Sequence, residues 1–335
     1  MVEKKVLAFY YAWYGTPWGT GVLQKWAGWN IYGYNPEKVT RGRRESAIPC
    51  FPLDGLYDSS SEYTIKRHIY QAKQAGLDGF IVSWWGFPDK MKKENADHPS
   101  VKSSDATLQK LLEIAPEDFD VTLYYETAEY GDKPVPQNVR EDLERIAQEY
   151  CNKPRWMKVN GKPVIVIYGR VMAQMRKACA DDIKEWKTIR EYLKEKGFDL
   201  FLVGDSLDPD YVECMDALHT YNPIGYTTRG INIEALYKRA ADALHRAGKI
   251  FVATVTPGFD NDKVRWPTGE RLFEPRRDGG YYIESWNTAL SCNPDWIFVT
   301  SWNEWFEASQ IEPSVEYGYD YIILTKQQVK RFKGN

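Results

Sequence analysis

Two glutamates three residues apart, Glu304 and Glu307, stand near the C-terminus in the run Ser301-Trp302-Asn303-Glu304-Trp305-Phe306-Glu307. Carboxyl groups crowded by aromatic rings lose hydration, so their pKa values rise toward neutrality and one can hold a proton the other lacks. That equips the pair for acid/base work on a glycosidic bond, and ring faces accept the apolar side of a sugar. Spacing alone says little, because Glu-x-x-Glu pairs are common on solvated helix faces. Context says more. Residues 296–301 read as a buried strand, so the glutamates fall just past a strand end. One helical turn over 303–307 would then project both carboxylates to the same side.

Seven further apolar runs precede that strand, at 6–11, 79–85, 119–126, 162–169, 199–205, 217–221 and 250–256. Helical spacing over 63–75, 106–114, around 140–150, and over 182–196, 233–247 and 281–291 separates them, with a brief helix near 209–214. Gly76, Gly197 and Gly248 close three of these helices, as helix C-termini favour. Continuous apolar strands alternating with helices imply a parallel sheet covered by helices. Eight units in 335 residues fit a single (β/α)8 TIM barrel with long strand-to-helix loops, read as one catalytic domain over 1–335. A doubly wound open sheet is the alternative. It lacks support from any Gly-x-Gly-x-x-Gly after the first strand or any Walker loop. The long loops, 12–62, 86–105 and 257–280, are expected to wall a cleft.

Barrel enzymes place their chemistry at the C-terminal strand ends. Tyr10 and Tyr11, Trp84 and Trp85, Glu126, Tyr168, Asp205, Tyr221 and Asp260 fall at or just beyond such ends. The candidate site therefore has Glu304 and Glu307 as catalytic residues. Glu126, Trp84, Trp85, Tyr11, Tyr168, Tyr221, Asn303 and Asp260 are the candidate sugar contacts. Adjacent strand residues point oppositely, so at least one of Trp84 and Trp85 faces the helices. Glu126 reads equally as an exposed strand-end salt bridge, and Asp205 and Asp260 equally as caps or turn residues.

A net charge of −3 and no extended basic run exclude a nucleic-acid surface. Arg41-Gly42-Arg43-Arg44 reads as a solvated loop, with an anionic-sugar contact as its alternative. No apolar stretch is long enough to span a bilayer and no signal-peptide core opens the chain. As written the protein is expected in the cytoplasm, or in the periplasm or medium if a leader has been removed. Five scattered cysteines read as reduced, packed thiols, and four dispersed histidines give no metal spacing, so neither metal nor cofactor is expected. The expected partner is an oligosaccharide or polysaccharide substrate; oligomeric state is not readable.

The sequence resembles glycoside hydrolase family 99, the endo-acting α-mannosidases and α-mannanases. The resemblance rests on Ser301–Glu307 with Gln310-Ile311-Glu312-Pro313, on Tyr57-Asp58-Ser59-Ser60, and on Val82-Ser83-Trp84-Trp85-Gly86. Phe9-Tyr10-Tyr11-Ala12-Trp13-Tyr14-Gly15, Pro257-Gly258-Phe259-Asp260 and Gly280-Tyr281-Tyr282 add to it. It implies a retaining endo-glycosidase without cofactor, in which Glu304 deprotonates the sugar's own 2-hydroxyl to give a 1,2-anhydro sugar. Glu307 would protonate the leaving oxygen and then activate water. Glu126 would lie near the reacting sugar, and Trp84 or Trp85 beneath its neighbour. Phe306 stands where the resemblance leads one to expect His, and Ala308-Ser309 replace Gly-Thr. A glycan-processing or glycosyl-transferring relative of polysaccharide assembly, and a non-catalytic glycan-binding barrel, are the competing readings.

Overall fold

The computed structural model describes residues 2–91, 98–265 and 269–334. The chain runs β1 (Lys5–Tyr10), α1 (Glu62–Gln74), β2 (Gly79–Trp84), α2 (Pro99–Ile114), β3 (Asp120–Tyr125), α3 (Val135–Glu149) and β4 (Lys162–Ile167). It continues through α4 (Gly169–Ala178), α5 (Asp182–Glu195), β5 (Phe201–Asp205) and β6 (Ala217–His219). Then come α6 (Ile233–Arg246), β7 (Ile250–Val255), α7 (Gly280–Ser291), β8 (Trp296–Val299) and α8 (Asp320–Lys333). All eight strands are parallel; β1 lies between β2 and β8, and β3 pairs with β4 to close the ring. This is the (β/α)8 barrel expected from the alternation of runs.

Strand parity sets two cores. Leu7, Phe9, Ile81, Tyr124, Val166, Val203, Val252 and Phe298 fill the barrel. Val6, Ala8, Tyr10, Phe80, Val82, Trp84, Leu123 and Tyr125 face outward into the helical layer. Each side of a parallel barrel strand is buried, which is why the runs read as continuously apolar.

The structure departs from the sequence reading in several places. α2 begins at Pro99, inside the expected loop 86–105, with the His98 ring accepting the Ser100 N–H as its cap. Residues 92–97 of that loop and 266–268 of the loop 257–280 lie outside the described residues. α4 follows β4 almost at once, where Gly169 reads as a stop rather than a start. α8 is missed because Thr325 and Gln328 share its buried face with Ile322, Val329 and Phe332, which blurs the apolar period. β6 stops at His219, so Tyr221 belongs to the loop beyond.

All five cysteines are free. Among the described residues no helix is long and apolar enough to cross a membrane. None of their His, Cys, Asp and Glu side chains gather in a group that could hold a metal.

Candidate active site

The chain leaves β8 through Thr300, and the Trp302 N–H donates to the Phe9 carbonyl at 2.8 Å, extending contact with β1. A 3-10 turn, Trp305–Glu307, follows rather than an α-helical turn. The Glu304 N–H donates to Ser301 Oγ at 2.7 Å, and Glu304 Oε1 accepts the Phe306 N–H at 3.2 Å. Glu304 thereby caps the turn whose last residue is Glu307, so both carboxylates arise from one tight structure. Ala308 closes it at φ 47, the left-handed region, which explains why glycine suits this position in the resembling motif.

Two bulky layers hold the turn from below. Trp302 packs outside the barrel near Phe80 and His68, and Trp305 is fully buried among the inner rings. Tyr14 Oη accepts the Trp305 N–H at 3.1 Å and donates to the Asn303 carbonyl at 3.3 Å.

Rings and hydroxyls from five strand ends converge on the pair. Tyr221 Oη donates to Glu307 Oε2 at 3.3 Å. The charges of Glu126, Glu304 and Glu307 all act on Tyr11, and Tyr168 feels Glu126 and Glu307. Trp13 stacks on Phe306 at 5.7 Å and approaches Trp85 at 6.2 Å, forming an aromatic wall. Trp85 Nε1–H donates to Ser83 Oγ at 3.0 Å, and Ser83 Oγ–H donates to Glu126 Oε1 at 2.6 Å. The Arg170 guanidinium lies over the Trp85 and Tyr168 rings.

Electrostatics follow from this crowding. Burial, then the Glu307 charge, raise the Glu304 carboxyl well above its usual range, against the Phe306 N–H. Burial pushes Glu307 up to about 7, opposed by the Tyr221 hydroxyl. Glu126 rises to about 8 through burial, opposed by the Ser83 hydrogen bond and the Arg170 charge.

These shifts carry a stability consequence. Glu126 keeps its proton in the fold from the usual 4.5 up to about 8, whereas the unfolded chain releases it near the usual value. Across that window the folded state binds the extra proton, so stability falls as pH rises through it. Glu126→Gln is expected to raise the melting temperature at pH 8 by several degrees and to change it little at pH 4. Calorimetric melts at both pH values check this; an equal gain at both would assign the effect to packing.

The structure moves two expected sugar contacts into packing roles. Trp84 is fully buried in the layer between barrel and helices, with its Nε1–H donated to Asp105 at 3.0 Å, because β2 parity points it outward. Trp85, one residue on, is the partly exposed ring at the mouth. Asn303 is likewise fully buried. Its Oδ1 accepts the Tyr11 N–H at 2.7 Å and its Nδ2 donates to the Tyr11 carbonyl and to Tyr57 Oη, a clamp between β1 and β8 with no amide group left for a ligand. Asp260 pairs with Arg271 at 2.8 Å and accepts the Asp262 N–H, and these contacts hold it within its own hairpin. Asp205 accepts from Tyr124 Oη, from the Gly169 N–H and from the Tyr221 N–H, which positions the Tyr221 loop. Trp85→Ala is expected to raise KM for a glycan about tenfold, roughly one ring-face contact, with little loss of stability. Trp84→Ala is expected instead to cost about 3–5 kcal/mol of stability by opening a cavity. Denaturant titration beside steady-state kinetics separates the two.

Sequence reasoning missed the support beneath the pair. Glu312 Oε2 accepts from Tyr57 Oη at 2.8 Å and from Trp305 Nε1–H at 3.2 Å, and Glu312 Oε1 meets His68 Nε2 at 2.8 Å. A carboxylate there fixes the proton on His68 Nε2, leaving Nδ1 to accept the Tyr10 hydroxyl at 2.9 Å. His68 lies in α1, far from Glu312 in sequence, and no local spacing joins them. Trp13, Tyr14, Ser83 and Arg170 were also unassigned. Trp13, Tyr14 and Ser83 stand within the motifs that carry the resemblance, and Arg170 lies two residues past Tyr168.

A closed parallel barrel with a buried carboxyl pair and ring-lined walls at its C-terminal mouth defines a class, the barrel enzymes that hydrolyse glycosidic bonds. The chain belongs to glycosyl hydrolase family 99, whose family model matches residues 1–328. Its substrate is accordingly a glycan. The chain is 25% identical over 333 residues to the glycoprotein endo-alpha-1,2-mannosidase of Rattus norvegicus, covering 92% of this chain and 68% of that protein. It is 24% identical over 339 residues to the glycoprotein endo-alpha-1,2-mannosidase-like protein of Homo sapiens, covering 94% and 69%. The GH99 endo-alpha-mannosidase from Bacteroides thetaiotaomicron shares the fold, with a TM-score of 0.73 at 23% identity over 100% of this chain and 99% of that one.

Proposed function

We propose that this glycoside hydrolase is a single catalytic domain that cleaves α-mannosidic bonds within a glycan chain, with retention at the anomeric carbon. The observation that carries the mechanism is the origin of both carboxylates in one tight turn, Glu304 as its cap and Glu307 as its end. Glutamates so placed need not flank opposite faces of a sugar, as an enzymic nucleophile and an acid do. As the resemblance to family 99 implies, the attacking group is the substrate's own 2-hydroxyl. The α-mannosidic preference is carried over from the names of the similar enzymes.

Glu304 carboxylate takes the 2-hydroxyl proton as O2 attacks C1, and the bond from C1 to the leaving oxygen breaks as Glu307 delivers its proton there. The 1,2-anhydro sugar is opened at C1 by water, whose proton passes to Glu307 while Glu304 returns its proton to O2. Two inversions leave the configuration unchanged. Bound sugar sets which of the two carboxyls holds the proton. A 2-hydroxyl donating to Glu304 favours its anion, and a glycosidic oxygen accepting from Glu307 favours its acid form. Phe306 and Trp13 keep water from the pair, which strengthens both hydrogen bonds. Tyr11, Tyr168, Glu126 and Trp85 are proposed to line the sugar positions.

The test is chromatographic sizing of products from linear α-manno-oligosaccharides and from yeast-type mannan. Early appearance of di- and trisaccharides supports internal cleavage. Release of mannose one unit at a time, or no release from any α-mannoside while another glycan is cut, overturns it.

A further inference from the structure

A cluster of charged side chains lies apart from the carboxyl pair, on the loops that follow β1 and β7. It encloses a cavity of about 370 Å³ between the first long loop and Lys263 of the loop after β7. Four cations line it, Lys38, Arg43, Arg44 and Lys263, against one lining carboxylate, Glu45. That concentration runs against the chain's net charge of −3. The arginine run has no task in the glycosidase chemistry, yet it is built into a fixed shape. Val39–Thr40 and Arg43–Arg44 form a hairpin whose two linking residues, Arg41 and Gly42, both have positive φ, the two-residue turn that matches strand twist.

Two of the four cations meet carboxylates, and the other two are held over aromatic rings. Arg44 lies over the Trp18 and Trp26 rings at 4.9 and 5.4 Å, and its Nη1 donates to the Pro36 carbonyl at 2.8 Å. Lys263 sits over the Tyr34 ring at 5.3 Å and makes no ion pair among the described residues. Lys38 reaches Glu45 only at 3.5 Å, and Arg43 pairs with Glu316 at 2.7 Å. Trp18, stacked against Arg44, leaves 56% of its surface open. The cavity floor, Ile48 and Cys50, belongs to the core that also holds Trp305, with Phe306 packed against it. The cavity is thus anchored to the same body as the catalytic turn.

We propose that this cavity is a remote subsite for an anionic substituent on the glycan, a phosphoryl ester or a uronate carboxylate, with Trp18 as the adjoining sugar platform. Guanidinium forks and ammonium groups match both oxyanions, and an open ring face beside them is what a charged sugar presents to a protein. The proposal rests on the reading that the barrel mouth takes a glycan chain.

Calorimetry with matched neutral, phosphorylated and uronylated α-manno-oligosaccharides tests it, alongside thermal shift with inorganic phosphate against chloride at equal ionic strength. Expected are at least tenfold tighter binding of one or both charged forms and a phosphate-specific rise in melting temperature. The preference should shrink toward unity at 0.5 M salt and vanish in the Lys38→Gln/Lys263→Gln double variant, whose turnover of neutral substrate stays at the wild-type level. The phosphorylated and uronylated arms show which oxyanion is preferred. Equal affinity for neutral and charged forms, or a preference that survives in the double variant, overturns the subsite. A phosphate-specific shift lost in the double variant, in a protein that cuts no mannoside, upholds the subsite and overturns the mannosidase reading instead.

Discussion

Glu304→Gln and Glu307→Gln are each expected to lower kcat on an unactivated glycan by about 10³-fold or more, within the range that positioned acid/base groups supply. The two losses should respond differently to the leaving group. An α-mannosyl fluoride or dinitrophenyl mannoside departs without a proton, so its first step needs no acid at Glu307. Glu307→Gln should then recover a rapid first step, whereas Glu304→Gln should stay inactive, because it lacks the base assigned to the 2-hydroxyl. Binding should survive in both, since amide and carboxyl are nearly the same size. In Glu304→Gln the new amide oxygen can still accept the Phe306 N–H that shapes the turn. Rapid-mix kinetics on the two substrates checks the assignment. Rescue of Glu304→Gln and not of Glu307→Gln would exchange the roles.

The second large effect lies beneath the pair. Glu312→Ala removes the shared acceptor of Tyr57, Trp305 and His68, all buried. Trp305 Nε1–H keeps Tyr57 Oη at 3.0 Å, while the Tyr57 and His68 donors are orphaned at about 1–3 kcal/mol each, and losing one partner of a buried charged network typically costs about 3–5 kcal/mol in all. Tyr57 also accepts from Asn303 Nδ2, so the clamp on β1 loosens together with the turn. Glu312→Ala is expected to lower stability by that amount in urea and to reduce kcat more than it raises KM. Glu312→Gln, which keeps one acceptor oxygen, should fall between. Full stability in Glu312→Ala would show that water replaces the carboxylate and that the network does not position the pair.

Much of this was legible in sequence, and the failures have physical causes. The alternation of continuous apolar runs with amphipathic ones exposed the barrel, because burial on both faces of every strand leaves that signature in the chain. The turn that carries Glu304 and Glu307 was legible because its residues are contiguous. What could not be read was parity and distance. Trp84 and Trp85 are chemically identical, and only the register of β2 sends the first into the helices and the second to the mouth. Asn303 looked like a ligand contact because it adjoins Glu304, but its partners, Tyr11 and Tyr57, come from the other end of the chain. Glu312 and His68 meet across 244 residues, so neither announced the other. Thr325 and Gln328 hid α8 because they put polar side chains on its buried face, Thr325 bonding to the Tyr321 carbonyl at 2.6 Å.

The raised carboxyls also explain a trade-off. Three glutamates that resist ionisation are a burden to the fold at neutral pH, yet a site of ordinary carboxylates would hold no proton to deliver. The aromatic wall of Trp13, Trp85 and Phe306 suits both ends, burying the carboxyls and offering ring faces to a sugar.

The most direct test of the central claim follows the anomeric proton by NMR during hydrolysis of an α-manno-oligosaccharide, comparing wild type with Glu304→Gln. The expected result is internal cleavage with the α-anomer formed first and mutarotating later, together with no detectable product from Glu304→Gln. First formation of the β-anomer, or α-anomer released at the wild-type rate by Glu304→Gln, would contradict it.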